Sequence, residues 1–281
     1  MPYKARPPRP ATHPTETDML INSIDRDAMH ERVRGSKPVP NFCIDGFLEP
    51  GFARRVADSY PSYEDAVKVG KEFDAANEQK KVQVTDPTHF PGPVAELNDA
   101  LAAPEFTALL SYVFDIPNLL PDAKLEGGGI HQTGPRGHLV VHVDFNYLAD
   151  RELHRRLNIL IYLNDTWDPA WGGNIELWDK DVKTCVQSFT PAFNRCVIFE
   201  TNEVSYHGVT VVKCPEGRAR KSFAAYYYTR ETPAHWTGHS HSTIFKARPN
   251  EVLKGRVLMP MEKARRWSRT ALSRVKKALI G

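Results

Sequence analysis

The sequence predicts a mainly β domain with flanking helices, an α+β fold whose core is a closed sandwich or barrel. Eight short β-rich runs follow one another after Gly127, separated by Gly, Pro, Asn and Asp. Short strands at such spacing favour a closed β architecture over alternating βα units. Two of the runs, RLNILIYLN and KSFAAYYYT, are apolar almost throughout, which is typical of strands buried in the centre of a core.

The individual elements follow from local signals along the chain. Residues 1–36 contain five prolines and few apolar residues, which predicts a mobile or loosely packed arm. Before Gly127 we predict a strand over 39–47, a helix from Pro50 to Tyr60 and a helical region over 93–114, whereas the polar stretch 62–92 gives no assignment. After Gly127 the predicted strands are 128–133, 138–147, 157–164, 174–178, 183–189, 195–199, 208–213 and 220–229.

Length and composition bound the class of protein. The 281 residues suffice for one large domain, which we expect over 37–245, with its β core at about 127–230 and a C-terminal extension over 246–281. No run of 18 apolar residues marks a transmembrane helix, and the N-terminus lacks the apolar stretch of a secretory signal. The four cysteines are too few and too scattered for a disulfide framework or a paired-cysteine zinc site. Reduced thiols and a cytoplasmic location are therefore expected.

The charge is concentrated near the C-terminus. Residues 262–277 hold seven Lys and Arg against one Glu, a net charge of +6, and because the whole chain carries +3 the remainder carries −3. A mildly acidic body is not expected to bind nucleic acid. The segment 261–279 combines apolar positions near helical spacing with a basic opposite face. It predicts an amphipathic helix that either contacts an anionic membrane peripherally, pairs with a second subunit or docks on the barrel.

A His-x-Asp pair followed by a distant histidine is the strongest chemical signal. His142 and Asp144 lie two residues apart in the β-run GHLVVHVDFNYL, and the side-chain period of a strand turns both toward one face. His207 follows 63 residues after Asp144, at the start of another predicted strand. Two imidazoles and one carboxylate form the facial triad of non-haem Fe(II) oxygenases, in which open coordination positions remain for a cosubstrate and dioxygen.

Arg220 and Ser222 are candidates for binding a carboxylate group of the cosubstrate. Arg220 lies thirteen residues after His207, and Arg220 and Ser222 share one face of the last predicted strand. A guanidinium fork beside a hydroxyl can hold a carboxylate inside a barrel. Arg218 has the same strand parity and is the rival for this role.

Residues 39–230 resemble the Fe(II)/2-oxoglutarate-dependent oxygenases, in their prolyl-hydroxylase-like branch. The matching segments occur in the order of the family: FCIDGFLEP, GGGIHQTGPRGHLVVHVDFN, RLNILIYLN, WGGNIELWD, NRCVIFETNEVSYHGV and RKSFAAYYYT. The resemblance implies a double-stranded β-helix (jelly-roll) core and iron ligation by His142, Asp144 and His207. It also implies that Arg220 holds the far carboxylate of 2-oxoglutarate, with Ser222 assisting.

The resemblance further implies the reaction. Dioxygen and 2-oxoglutarate are converted at Fe(II) to succinate and carbon dioxide, while a substrate C–H bond is hydroxylated. Related halogenases carry Gly or Ala at the carboxylate position, so Asp144 favours hydroxylation over halogenation. Desaturation and cyclisation use the same ligand set and remain open.

Four further residues are weaker candidates for the site. Asn158 lies in a core run and could face the cosubstrate, because a buried amide needs a partner; a core amide with its own hydrogen bonds is equally consistent. Gln132, Tyr147 and Trp171 could line the substrate pocket or its entrance. A turn-end role for Gln132 and aromatic packing for the other two are the alternatives.

Other polar stretches are assigned ordinary roles. The run Arg151, Arg155 and Arg156 could attract an acidic substrate, but such runs usually form a solvated face. The histidine-rich segment 235–241 is interpreted as a loop against the barrel. His131, although near the ligand strand, does not fit the order of the triad and is assigned a structural role.

Three functions are carried forward. The favoured one is hydroxylation of an unactivated C–H bond in a small molecule or biosynthetic intermediate, because no peptide-recognition domain is attached. The alternative is a protein hydroxylase acting on a prolyl or similar residue. A non-catalytic jelly-roll binding module is the alternative of another class, and the complete triad together with Arg220 disfavours it.

Overall fold

The computed structural model describes residues 20–251 of the protein. Its α-helices are α1 (Arg26–Gly35), α2 (Pro50–Ser59), α3 (Tyr63–Val69), α4 (Gly92–Ala102) and α5 (Pro104–Val113). Its strands are β1 (Asn41–Asp45), β2 (Lys71–Phe73), β3 (Glu78–Val84), β4 (Leu120–Pro121), β5 (Gly129–Val143), β6 (Tyr147–Leu148), β7 (Leu153–Tyr162), β8 (Ile175–Trp178), β9 (Cys185–Phe189), β10 (Arg195–Glu200), β11 (His207–Val209), β12 (Arg220–Thr229) and β13 (Ile244–Phe245).

The strands form one antiparallel sheet that curls into a nearly closed barrel. Along its main path the strand order is β1-β10-β7-β12-β5-β11-β8-β9. Strand β5 connects the two walls, because its first part pairs with β12 and its last part with β11. This is the expected mainly β, jelly-roll fold with flanking helices. The predicted run 128–133 and the first part of the run 138–147 are joined in the single strand β5, which ends at Val143 and continues through a Gly-Pro-Arg-Gly segment where Arg136 has a positive φ of 66°.

The two apolar runs are central strands with both faces buried. In β7, Leu157 and Ile159 face outward and belong to the same apolar cluster as the helices, while Asn158 lines the interior of the barrel. Strand β12 alternates in the same way, with Phe223 in the helix-facing cluster and Ser222 inside. Burial of both faces explains why these strands lack the polar alternation of a half-exposed sheet.

The predicted N-terminal arm is wrong for residues 20–36. Helix α1 begins after Asp25, whose side chain accepts a hydrogen bond from the backbone N–H of Ala28, as N-cap residues do. Val33 is 4% exposed and belongs to the main core cluster, as does Ile21. The polar sequence of α1 conceals this packing, because Val33 is its one buried residue. Residues 1–19 lie outside the described part of the chain.

The region 62–92, which gave no assignment, contains helix α3 and the hairpin β2–β3. Strand β3 pairs with β5 along much of its length although its sequence EQKKVQV is mostly polar. Only Val82 and Val84 are fully buried in it, so its hydrophobic signal is too short to detect. The predicted helical region 93–114 is two helices, because Pro104 cannot continue α4 and instead begins α5.

None of the helices within residues 20–251 is long and apolar enough to span a bilayer. The predicted basic helix over 261–279, and with it most of the C-terminal extension, falls outside the described residues.

Candidate active site

The three residues of the sequence motif meet at the pairing of β5 with β11. His142 and His207 are direct partners in the antiparallel register, and their ring centroids are 4.3 Å apart. Gly208 allows this approach, because a Cβ atom there would lie 3.0 Å from the carbonyl oxygen of Leu139 and 3.0 Å from the backbone of Val141. Asp144 follows the last residue of β5.

Their ligand atoms form a compact donor set. Nε2 of His142 lies 3.4 Å from Oδ1 of Asp144, and Nε2 of His207 lies 3.3 Å from Oδ2. The donor atoms all lie within 4.8 Å of one another. Both histidines are buried, and Asp144 is partly buried with its side chain 15% exposed.

Backbone contacts fix the imidazole tautomers. Nδ1 of His142 lies 2.8 Å from the carbonyl oxygen of Val140, and Nδ1 of His207 lies 3.0 Å from that of Ser205. A carbonyl only accepts hydrogen bonds, so each Nδ1 carries the proton and each Nε2 presents a lone pair. Burial lowers the pKa of His142 and favours its neutral form. The donor set therefore fits Fe(II), which takes two neutral imidazoles and one carboxylate.

Arg155 is a residue that the sequence interpretation missed. It was assigned to a solvated face, yet it is 4% exposed and its Nη2 lies 3.0 Å from Oδ2 of Asp144. Burial alone would raise the pKa of Asp144, but the adjacent Arg155 guanidinium favours the charged carboxylate, and the pKa lies well below its usual range. The carboxylate is thus kept ionised, as metal ligation requires.

Asn158 lies beside the predicted triad and is hydrogen-bonded on both sides. Its Nδ2 donates to Oδ2 of Asp144 at 2.8 Å, and its Oδ1 accepts from Nε and Nη2 of Arg155 at 3.1 and 2.9 Å. These hydrogen bonds agree with the second alternative, a core amide with its own partners, and a contact with the cosubstrate stays a prediction. Asn158 lines the cavity, and both its amide oxygen and its amide nitrogen have protein partners.

Arg220 is buried inside the barrel and held by three contacts. Its Nε donates to the carbonyl oxygen of Gly173 at 2.7 Å, its Nη1 to the hydroxyl of Ser222 at 3.2 Å and its Nη2 to the hydroxyl of Tyr162 at 3.1 Å. Arg218 is exposed and stacks on the Trp171 ring. The structure therefore brings Arg220, and not Arg218, to the interior.

One cavity of about 340 Å³ contains both groups of residues. It is lined by the triad, Arg155, Asn158, Arg220, Ser222, Tyr226, His131, Phe73, Lys71, Lys81 and further side chains of the barrel interior. His131 had been assigned a structural role, and its Nε2 does lie 2.9 Å from the carbonyl oxygen of Gly127. Burial lowers the pKa of His131 to about 3, so His131 itself is neutral.

A segment that follows the barrel strands covers one side of the cavity. We call residues 239–248 the strap. Its strand β13 pairs with the end of β5, and the Phe245 ring lies 5.4 Å from that of His142. Nε2 of His241 lies 2.6 Å from Oε2 of Glu203, and Asn146 bonds both Glu203 and the backbone of the strap. The strap agrees with the interpretation of the histidine-rich segment as a loop against the barrel.

Three predicted pocket residues lie elsewhere. Gln132 is fully buried and points to the opposite face of β5, where its Nε2 donates to the carbonyl oxygen of Pro61 at 2.8 Å. The strand period explains this, because its neighbours His131 and Thr133 line the cavity instead. Tyr147 packs against His154 and Trp236 outside the cavity lining, and Trp171 packs against Trp167 and Arg218. These aromatic residues have the packing role that was the alternative.

Part of the sequence is similar to a known protein family and to two curated proteins. Residues 128–228 match the family model described as the 2OG-Fe(II) oxygenase superfamily. Over 84 residues the chain is 37% identical to prolyl 3-hydroxylase OGFOD1 of Mus musculus and 32% identical to the protein of that name from Xenopus laevis. Each alignment covers 28% of this chain and only 15% or 16% of the relative.

The fold has a matching solved structure. A prolyl hydroxylase from Trichoplax adhaerens, solved with a hypoxia-inducible-factor oxygen-degradation-domain peptide, superposes with a TM-score of 0.53 and 15% sequence identity. The superposition covers 72% of this chain and 90% of that one. The cofactors expected from the sequence, Fe(II), 2-oxoglutarate and dioxygen, are those of the matched superfamily. Residues 128–228 are thus similar to the 2OG-Fe(II) oxygenase superfamily, and the fold of the chain is similar to that of a prolyl hydroxylase.

Proposed function

We propose that this protein is an Fe(II)- and 2-oxoglutarate-dependent dioxygenase that hydroxylates an unactivated C–H bond. The observation that carries the proposal is the arrangement of two sites in one cavity. The buried cluster His142, Asp144 and His207 offers a metal-binding donor set, and the buried guanidinium of Arg220 opens to the same space. A non-catalytic binding module would have no need for both.

The metal ligands in this proposal are Nε2 of His142, Nε2 of His207 and the carboxylate of Asp144. Their positions are fixed by backbone carbonyls and by the Arg155–Asn158 pair, so little reorganisation accompanies metal binding. When bound, Fe(II) with 2-oxoglutarate supplies the activation of dioxygen, with release of succinate and carbon dioxide. No side chain is required as a general base for this chemistry.

Arg220 would bind the far carboxylate of 2-oxoglutarate. Its side chain is already oriented by Gly173 and Tyr162, and the Ser222 hydroxyl lies 3.2 Å from Nη1. A charge-assisted contact to a buried guanidinium gives both affinity and direction. The triad and Arg220 line the same cavity, so a cosubstrate held at Arg220 would have its other end available to the metal.

The substrate class we propose is a prolyl residue of a polypeptide. Its support is the 37% identity, over 84 residues, to a protein named prolyl 3-hydroxylase. A small-molecule substrate, which the sequence analysis favoured, is the second candidate. The strap supports it, because Thr243 and Phe245 wall one side of a cavity of about 340 Å³ and so narrow the access for a long polypeptide.

A turnover screen separates these candidates. The full-length protein with Fe(II), ascorbate and 2-oxoglutarate is incubated with proline-containing peptide pools and, separately, with metabolite pools. Succinate release is measured together with product mass. Substrate-stimulated succinate with a mass gain of one oxygen on a peptide proline supports the first candidate, and the same gain on a metabolite supports the second. Metal and 2-oxoglutarate binding without turnover in any pool would contradict the proposed activity.

A further inference from the structure

We propose that Arg155 is a positioning residue of the metal centre. Together with Asn158 it holds Oδ2 of Asp144, so that Oδ1 alone is presented to the metal. The inference rests on the proposed function, because it takes Asp144 to be a metal ligand. Arg155 acts through that carboxylate and does not itself contact the metal.

The two oxygens of Asp144 have different surroundings. Oδ2 accepts a hydrogen bond from Nδ2 of Asn158 at 2.8 Å and lies 3.0 Å from Nη2 of Arg155. Each oxygen also lies near one imidazole, Oδ1 3.4 Å from Nε2 of His142 and Oδ2 3.3 Å from Nε2 of His207, so the difference comes from Arg155 and Asn158. One hydrogen bond and one close ion pair on Oδ2 leave Oδ1 as the better metal ligand.

The Arg155–Asn158 pair also determines how the amide is turned. Nε and Nη2 of Arg155 both donate to Oδ1 of Asn158, at 3.1 and 2.9 Å. A guanidinium has donors only, so it selects the amide oxygen and turns the NH₂ group toward Asp144. The amide orientation is thereby a consequence of the guanidinium, and losing Arg155 would remove two constraints on the carboxylate.

Packing holds the guanidinium in this position. Its central carbon lies 3.6 Å from the ring centroid of Tyr226 and 4.6 Å from that of Phe145. A cation stacked on aromatic rings in a buried site has few alternative rotamers. The carboxylate is therefore supported by a rigid partner.

A bulge in the β7–β12 pairing explains why Arg155 and not its neighbour has this role. The register shifts so that Tyr227 pairs with Leu157 while Tyr228 pairs with Arg155. Arg156 is left between them, and its Nη1 donates to the hydroxyl of Thr229, away from the cavity. The chain thus offers a matched control, two adjacent arginines of which one contacts Asp144.

The test measures metal binding directly and does not depend on turnover. Mn²⁺ is titrated by calorimetry into the wild type, Arg155→Lys and Arg156→Lys. We expect about 10- to 100-fold weaker Mn²⁺ binding for Arg155→Lys, the usual effect of losing an outer partner of a metal ligand, and unchanged binding for Arg156→Lys. Crystal structures of the Mn²⁺ complexes should show Asp144 binding through one oxygen in the wild type and turned or bidentate in Arg155→Lys. A purely structural role would change the melting temperature and leave the binding mode as it was.

A second variant, Asn158→Ala, tests the inference if Arg155→Lys does not fold. Asn158→Ala keeps the guanidinium and removes one donor to Oδ2, and we expect about tenfold weaker Mn²⁺ binding. Wild-type affinity and one-oxygen binding in the folded variant, or in Arg155→Lys, would overturn the inference alone. Absence of Mn²⁺ binding by the wild type would overturn the proposed function together with it.

Discussion

Arg220 is positioned by its surroundings without any ligand. Gly173 provides the carbonyl that accepts from Nε, and its positive φ of 70° brings the backbone close, since a Cβ there would lie 3.1 Å from Cδ of Arg220. The Tyr162 hydroxyl takes one Nη2 hydrogen. Arg220 also lines the cavity, so this long side chain is already ordered on folding and little of that entropy is lost on binding.

Replacing Arg220 by Ala should therefore weaken 2-oxoglutarate binding specifically. A charge-assisted hydrogen bond contributes about 1.5–3 kcal/mol, so the 2-oxoglutarate concentration required for half-maximal turnover should rise by about one to two powers of ten. Arg218→Ala is the control, because Arg218 is exposed on the Trp171 ring. If turnover assays gave the large effect in Arg218→Ala and not in Arg220→Ala, Arg220 would not be the residue that binds the carboxylate.

Single residues show where sequence reasoning succeeds and where it stops. His142 and Asp144 could be paired because regular strand parity holds over those two positions. Arg155 could not be found in this way, because the register shift in β7 moves it to the face of Asn158. Gln132 has the same parity as His142, but the irregular segment 134–137, where Arg136 has a positive φ, shifts the parity within β5, so that the neighbouring His131 lines the cavity instead.

At the scale of elements, the close contact of β11 with β5 is the feature that places His207. We predict that Gly208→Ala separates the two strands, because the added Cβ would meet three backbone atoms of β5 at 3.0 Å. Overpacking of this kind typically costs about 1–3 kcal/mol, and displacement of His207 should also weaken Mn²⁺ binding. Urea denaturation and Mn²⁺ titration measure the two effects. Gly35→Ala is the control, since its Cβ would meet nothing within 4 Å, and equal behaviour of the two variants would contradict this account.

The strap is held at its start by the contact of His241 with Glu203. Removing it in His241→Ala should loosen β13, whose continuation donates from the backbone N–H of Lys246 to the carbonyl oxygen of Val141 at 2.8 Å. A partly buried charge-assisted bond contributes about 1.5–3 kcal/mol, so exchange of the Lys246 amide should accelerate about tenfold or more. Hydrogen exchange followed by mass spectrometry measures this rate. His239→Ala is the control, because its exposed side chain is not the group that Asn146 contacts, and equal exchange in the two variants would show that the ion pair does not hold the strap.

The elements that were predicted well are those with a strong apolar signal. Strands β7 and β12 were found because both their faces are buried, and α2 because Phe52 and Val56 repeat at helical spacing and are buried. Helix α1 and the hairpin β2–β3 were missed because each is mostly polar. Their positions depend on pairing with β5 or packing against α5, which are contacts distant in sequence.

At the scale of the whole molecule, the buried cavity makes stability depend on pH. Burial lowers the pKa of His131 to about 3, whereas in the unfolded chain a histidine titrates near 6.5. Between these values the unfolded state binds more protons, so the free energy of unfolding rises with pH, by at most about 1.4 kcal/mol per pH unit from this residue. The contribution is fully present above about pH 6.5 and is lost as the pH falls toward 3.

Urea denaturation of the full-length protein at about pH 7 and about pH 5 tests this dependence. The wild type should lose about 2 kcal/mol from His131 over that interval. His131→Gln, which cannot be protonated there, should lose correspondingly less, and His89→Gln, at an exposed position, should behave as the wild type. An unchanged pH dependence in His131→Gln would show that this histidine is not buried in its neutral form.

The central claim is that His142, Asp144 and His207 form one metal centre that works with Arg220. Anaerobic titration of Mn²⁺, followed by 2-oxoglutarate, into the wild type and His207→Ala tests it most directly, with His235→Ala as a control at an exposed histidine. We predict one Mn²⁺ per chain in the wild type and in His235→Ala, with 2-oxoglutarate binding that depends on the metal, and loss of both in folded His207→Ala. Wild-type Mn²⁺ and 2-oxoglutarate binding in His207→Ala would contradict the claim.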